Sequence, residues 1–418
     1  MKTYRWIFLV LVAGAFAGCQ KDSEPELIGD WKRAETAFPT SGRSNAASFV
    51  IGNMGYVVGG NNGYPNVLRN EVFEYDHIYD VWNEKKEFPG IARQQAVGFA
   101  IPDKNDPLRG KGYVGTGWAW TGEGKEREMR TLKDFYQYDP DNNEWIEVAP
   151  LPVVWKEVKG KERRGAIAFT LQDNSSGKWY AYVGCGYVDI PETDRENSKY
   201  MREYLNDFWR FDPEKTTPNP DGGVWIGEWE HVINKGEKRL GASVFVIDNK
   251  AYICNGTNGS GIVTDFWRFD PNADQDEYKW IYNRKDEHGN LIQRPMRDAN
   301  PDEDYDDDYG SLARSFGVAY MVNVNQAIGG TPDLRGHIVG GTAGTGYANW
   351  EYNHREDLWV QRTRFFNRSA PAQTRQGMIS FSFPNTGRAF VGLGNTGGDY
   401  KEDLWEFIPM IEDNIYEN

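Results

Sequence analysis

Six times along this chain an arginine opens the same short pattern, and that repetition limits the possible fold more than any other feature. The copies are RSNAAS from Arg43, RQQAVG from Arg93, RRGAIA from Arg163, RLGASV from Arg239, RSFGVA from Arg314 and RQGMIS from Arg375. Each leads into a short apolar run suited to a strand. Self-similarity at roughly 50 to 75 residues marks units that cannot bury an apolar face alone, as in propellers and solenoids.

The remainder of each unit specifies a propeller blade. A second strand ends in glycine: GYVVGG at 55–60, GYVGTG at 112–117, YAYVGCG at 180–186, KAYICNG at 250–256, GHIVGG at 336–341 and RAFVGLG at 388–394. Glycine suits a sharp turn there because it reaches positive φ without steric cost. A third strand pairs an acid with alternating aromatics: EVFEYD from Glu71, DFYQYD from Asp134, DFWRFD from Asp207, DFWRFD from Asp265, DLWVQR from Asp357 and DLWEFI from Asp403. A fourth carries Trp82, Trp145, Trp229 or Trp280, large enough to fill the wedge between blades. The fifth unit is irregular, with Phe365 and Phe366 where that tryptophan is expected. Four short strands per unit predict an all-β chain with one blade per repeat.

This combination of arginine-led strand, glycine doublet and spaced Tyr and Trp resembles the Kelch family. The resemblance covers about residues 30 to 408 and implies a six-bladed Kelch-type β-propeller. The sixth unit stops after DLWEF without a tryptophan strand, whereas DWKRAETAFP at 30–39 supplies one at the other end, with Trp31 followed by Phe-Pro as in VWNEKKEFP. The N-terminal strand is therefore expected to complete the last blade and pair both exposed edges. The domain division is a leader over 1–18, a tether over 19–29, one propeller over 30–410 and a tail over 411–418. Aromatics at 14% and 46 glycines agree with wedge-packed β-structure.

The net charge of −15 argues against nucleic acid and anionic membrane surfaces as partners. No phosphate-cradling Gly-Lys motif, HExxH or paired-cysteine spacing is present, so no cofactor and no metal are expected. The acidic run DANPDEDYDDDYG at 298–310 lacks the spacing of a calcium loop and reads as a solvated insertion.

At the N-terminus Lys2 and Arg5 precede a short apolar run ending in small residues, which reads as an export signal. Phe16-Ala17-Gly18 before Cys19 resembles a bacterial lipobox, with Phe16 in place of the usual leucine. The resemblance implies cleavage before Cys19 and its lipidation. The acids of QKDSEPE resemble the surface-export signal of Bacteroidota lipoproteins. The expectation is a monomer in the cell envelope, lipid-anchored to the outer membrane on its surface or periplasmic side, touching membrane only through the anchor. An outer-membrane partner is possible in that setting. Cys185 and Cys254 differ by one residue in their offset from the strand-ending glycine, so two free thiols are expected.

Function is expected in the loops. Insertions at 117–132, 186–205, 284–312 and 341–357 fall on the face where the six arginines begin their strands, and carry Trp118, Trp120, Tyr187, Tyr347, Trp350 and Tyr352. The loop at 213–227 falls on the opposite face. Exposed aromatic planes there would suit a glycan or a protein ligand. The arginines Arg43, Arg93, Arg163, Arg239, Arg314 and Arg375 have two competing uses, as ties between blades through loop carbonyls and as an anion-binding ring. Galactose oxidase shares Kelch-like blades, but the five histidines here are scattered and neither cysteine lies in a loop, so its copper site is rejected. The chain also resembles the bacterial sialic acid mutarotase type. That resemblance implies an acid–base pair with a carboxylate clamp, for which Glu162 beside Arg163 and Glu237 near Arg239 are candidates. Three readings stay open: a glycan- or protein-binding module, a sialic acid mutarotase or epimerase, and a structural scaffold for protein interactions.

Overall fold

The computed structural model describes residues 27–63, 67–122, 127–152, 161–189, 202–281, 312–325, 331–342, 347–365 and 374–412, with four two-residue strands between 154 and 292. Its framework is six four-stranded antiparallel sheets. Blade 1 comprises Ala47–Ile51, Met54–Val58, Val72–Asp76 and Val81–Lys85. Blade 2 comprises Val97–Pro102, Gly110–Gly115, Phe135–Asp139 and Glu144–Val148. Blade 3 holds Ile167–Gln172, Trp179–Gly184, Phe208–Pro218 and Val224–Val232, and blade 4 holds Ser243–Ile247, Lys250–Cys254, Phe266–Phe269 and Trp280–Ile281. Blade 5 holds Val318–Asn323, Leu334–Val339, Asn349–Asn353 and Leu358–Arg362. Blade 6 takes Ile379–Phe383, Arg388–Gly392 and Leu404–Glu412, with Ile28–Arg33 as its outer strand. The first strand of each blade touches the first strand of the next, and the contacts run in a closed ring. The chain is a six-bladed β-propeller.

Closure by the N-terminal strand is as expected. Trp31 pairs in register with Phe407. Its indole donates to the Thr363 carbonyl at 3.0 Å and packs on Phe365, Phe407 and Tyr320. The strand thus fills the wedge between blades 5 and 6.

Aromatic pairs across the first two strands build the core of blades 1 to 4. Phe49 stacks on Tyr56, Phe99 on Tyr113, Phe169 on Tyr182 and Phe245 on Tyr252, with centroids 5.0–5.4 Å apart. In blade 5 Tyr320 stacks on His337, so an imidazole occupies the tyrosine's place.

Blade 5 also corrects the strand assignment made from the DLW motif. Its third strand is Asn349–Asn353, and DLWVQR forms the fourth strand, with Trp359 as the missing tryptophan. The tryptophan is fully buried, and Tyr352 donates to the turn residue Asp357, whose φ is 58°. The same device recurs as Tyr75 to Asp80 and Tyr138 to Asn143, both turn residues with positive φ. The segment 213–227 is likewise not a plain loop, because the last two strands of blade 3 run on past Asp212 as a long hairpin.

Candidate functional site

The six repeat arginines are buried, between 0 and 3% exposed. Arg93 forks onto Asp134 at 2.6 and 2.7 Å, Arg163 onto Asp207 at 2.9 and 2.6 Å, and Arg375 onto Asp403 at 2.7 and 2.9 Å. Arg239 pairs with Asp265, and Arg43 lies 3.6 Å from Glu71. Where the third strand begins Asp-x-Trp, the indole completes a triad: Trp209 donates to Asp207, Trp267 to Asp265 and Trp405 to Asp403. In blade 5 the position of the acid is Ala348, whose carbonyl Arg314 contacts at 3.0 Å, along with those of Leu312 and Gly340. Burial raises the carboxyls of Asp207 and Asp403, but the paired arginines and indoles outweigh it and hold both below their ordinary value. Burial pulls Arg43 and Arg314 down to about 10.

The backbones of these arginines tie the ring together. The second glycine of each doublet donates its N–H to the arginine carbonyl of the next blade, from Gly60 to Arg93 around to Gly394 to Arg43, at 2.7–2.9 Å. Those glycines have φ of 88–98°, and an added Cβ would lie 2.6–3.0 Å from the carbonyl oxygen of the residue after the arginine. Only the second glycine is strictly required; the first is replaced by Thr116, Cys185, Asn255 and Leu393. Nearer the axis the residue two after each arginine takes a left-handed conformation and links to its neighbour. Asn45 donates to Gly377, Gln95 to Asn45, Gly165 to Gln95, Gly241 to Gly165 and Phe316 to Gly241. This geometry is that of blade ties, with the arginine paired to an acid of its own blade in five blades and to backbone carbonyls in blade 5.

The mouth of the ring is lined by the residue after each arginine: Ser44, Gln94, Arg164, Leu240, Ser315 and Gln376. Each bridges to the residue after the doublet: Asn61, Trp118, Tyr187, Thr257, Thr342 and Asn395. Arg164 is the only cation at these twelve positions. Its Nε donates to Asp189 at 2.6 Å, its Nη1 to Gln95 at 2.7 Å, and its guanidinium lies 4.9 Å from the Tyr187 ring centroid. Its Nη2 makes no hydrogen bond to any described residue, which leaves two donors of a rigid fork. Sequence reasoning singled out Arg163 and passed over its neighbour. The available signal was the doubled arginine, present in one of the six copies.

Two hairpins stand on this face, Trp118–Thr121 with Glu128–Thr131 and Tyr187–Asp189 with Arg202–Tyr204, and they touch. They do not hold up the expected aromatics as exposed planes. Trp118 and Tyr187 are buried, and Trp350 and Tyr352 lie buried within the third strand of blade 5. Trp120, beneath the Arg127 guanidinium, and Tyr347, beneath Arg364, are partly buried. Residues Asn349–Asn353 of the insertion expected at 341–357 therefore belong to the blade itself.

Glu162 is half-buried beside Arg163, whereas Glu237 is exposed and accepts from Asn258 at 3.2 Å. Cys185 and Cys254 are buried free thiols, and burial pushes the Cys185 thiol up to about 12. Among the described residues no group of three or more His, Cys, Asp and Glu could hold a metal, and no helix is long and apolar enough to cross a membrane. Cys19, the acidic run 298–310 and most of the insertion 284–312 lie outside the described residues, as do 190–201 of the insertion 186–205.

No family model matches the chain. N-acetylneuraminate epimerase of Salmonella typhimurium is 24% identical over 211 residues, which cover 48% of this chain and 50% of that protein. N-acetylneuraminate epimerase of Yersinia enterocolitica is 38% identical over 68 residues, 16% of this chain and 15% of that protein. The chain spans about half the length, or less, of the curated relatives it matches. A solved structure described as that of YjhT superposes with a TM-score of 0.56 at 15% identity, covering 88% of this chain and 95% of that one. That likeness supports the fold.

Proposed function

We propose that the arginine-side mouth of this propeller binds an anionic sugar of the sialic acid class, with Arg164 as its carboxylate contact. The observation that carries the reading is the state of Arg164: fixed by Asp189 and Gln95, yet retaining Nη2 donors at the one cationic position among the twelve that bridge around the mouth. A bidentate or charge-assisted contact of this kind contributes roughly 1.5–3 kcal/mol. The likeness to N-acetylneuraminate epimerases supports the choice of sugar class. Titration calorimetry with N-acetylneuraminate and with its neutral methyl ester tests it. The acid is expected to bind more tightly by roughly tenfold or more; equal affinities would remove the carboxylate contact from the account.

A second reading, turnover of the same sugar as an N-acetylneuraminate epimerase-type mutarotase, is favoured by Asp189, whose carboxylate lies 2.6 Å from Arg164. Mutarotation requires a base to take the anomeric hydroxyl proton as the ring C–O bond opens, and an acid to protonate the ring oxygen. Reclosure on the other face returns both protons, with no net oxidation. Asp189 and Glu162 are the groups assigned these roles in this reading. Proton NMR exchange between the anomers should then accelerate with the protein and collapse in Asp189→Asn or Glu162→Gln. Binding without acceleration would identify a lectin-like module; no binding of either sugar would favour a scaffold with a protein ligand.

The protein works in this reading from the cell envelope, tethered to the outer membrane by lipid on Cys19. Cys19→Ala should leave the membrane fraction or stay unprocessed, and undiminished membrane retention would refute the anchor.

A further inference from the structure

We infer that Phe316 is the stacking platform of this mouth, on which the apolar face of the bound acidic sugar rests beside Arg164; the inference rests on the reading of Arg164 as the carboxylate contact. The position two after each repeat arginine is left-handed, with φ between 54 and 67° in all six blades. It is held by Gly165, Gly241 and Gly377 in three of them, and by Asn45 and Gln95 in two. Phenylalanine tolerates that backbone poorly, and Phe316 adopts it with φ of 55°. Bulky residues persist in such conformations when the surroundings impose them, and they concentrate where a ligand is held.

The core does not explain the side chain. Phe316 belongs to none of the buried clusters between blades, makes no ring contact with a described aromatic, and keeps part of its surface exposed. Its ring lies flat on the backbone of the adjacent blade. A β-carbon built on Gly241 would stand 3.0–3.1 Å from three consecutive ring carbons, and one on Gly165 would stand 3.5 Å from a fourth. Those two glycines therefore form the floor that admits the ring, and the residues preceding them in the chain are Leu240 and Arg164. One ring face is used on the glycine floor. An aromatic plane on the inner ring, against the glycine that follows Arg164 in the chain, matches a pyranose bearing a carboxylate, the plane meeting C–H groups and the Arg164 fork meeting oxygen atoms.

The test uses the full-length protein with N-acetylneuraminate and with a neutral methyl glycoside. Phe316→Asn places at this position the residue that blade 1 carries, so the backbone is retained. It is expected to keep the melting temperature of the parent while weakening both sugars roughly tenfold, and Phe316→Tyr should restore both affinities. Arg164→Gln should weaken only the acid. If Phe316→Asn leaves affinity unchanged while Arg164→Gln abolishes the preference for the acid, the platform is refuted and the carboxylate contact stands. If Phe316→Asn weakens binding while Arg164→Gln does not, the platform stands and the carboxylate contact falls. A melting temperature that drops in step with affinity in Phe316→Asn would make Phe316 a part of the fold and overturn the inference. Failure of the unaltered protein to bind either sugar would overturn both.

Discussion

Blades 3 and 5 carry the same repeat, yet one reads plainly from sequence and the other misleads. In blade 3 the acid that opens DFWRFD lies where the motif puts it: Asp207 takes the fork of Arg163 and the indole of Trp209. In blade 5 the similar DLWVQR lies one strand later, and its aspartate serves a turn. The true register is carried by Tyr352 and Trp359 in YNHREDLW, seven residues apart as in YDHIYDVW from Tyr75 and YDPDNNEW from Tyr138. The Asp-x-Trp match spans three residues, whereas the tyrosine-to-tryptophan register spans eight. The lesson is physical: the tyrosine hydroxyl, the left-handed Asp or Asn and the wedge tryptophan act together, so their spacing is fixed, whereas Asp-x-Trp also arises where a turn aspartate precedes a wedge tryptophan by two, as Asp80 does Trp82 and Asp357 does Trp359.

The two blades also lean on different neighbours, and this sets the largest expected effect. Blade 3 packs between blades 2 and 4, while the packing of blade 5 includes Trp31 of the chain's first strand. Removing residues 27–33 should unfold the propeller, read as loss of the cooperative melting transition, and Trp31→Ala should cost about 3–5 kcal/mol. An unchanged transition would break the claim that the first strand seals blade 5 to blade 6.

Removing the acid from each blade tests the reassignment itself. Asp207→Ala strands a buried guanidinium and should cost about 3–5 kcal/mol in chemical denaturation. Asp357→Gly keeps the left-handed turn and loses one exchange with a tyrosine hydroxyl, so it should cost about 1 kcal/mol. Similar losses at the two positions would restore Asp357 to the third strand.

The blades should separate by pH as well. Asp207 is depressed in the folded state, so its contribution is present above the unfolded carboxylate value and is lost as pH falls through the lower folded one. His337 loses stability in the same direction but at higher pH. Burial lowers it to about 4 against the attraction of Glu351, with Arg362 and Arg335 also opposing protonation. The unfolded chain therefore binds the extra proton between about pH 6.5 and 4, and stability should fall across that range by up to roughly 3 kcal/mol. His337→Tyr supplies the residue found at this place in blades 1 to 4. Glu351 then stands as Glu74 does to Tyr56, which donates to it at 2.6 Å. The variant should flatten the profile between pH 6.5 and 4 while leaving the acid loss below it, and an unchanged slope would show that another group titrates there.

The propeller, its closing strand and the arginine ring were legible because each is a repeated physical requirement. The left-handed glycine meets the neighbouring carbonyl, and the buried cation needs its carboxylate. The candidate site was legible only in part. Sequence position places Trp118, Tyr187 and Trp350 on the insertion-bearing face but says nothing of how they fold back into the sheet or the hairpin stems. Arg164 and Phe316 are departures from the repeat, and a departure is informative only after the repeat's own geometry is known.

The contrast between neighbouring arginines tests the account most directly. Melting temperature and affinity for N-acetylneuraminate, measured together on Arg163→Met and Arg164→Met, should move separately. Arg163→Met removes a fully buried guanidinium from Asp207 and should lower the melting temperature by many degrees, whereas Arg164→Met, at a partly exposed position, should lose less stability and most of its affinity for the acid. If both variants lose stability and affinity together, the two arginines are alike as blade ties and the mouth of this propeller is not where its ligand binds.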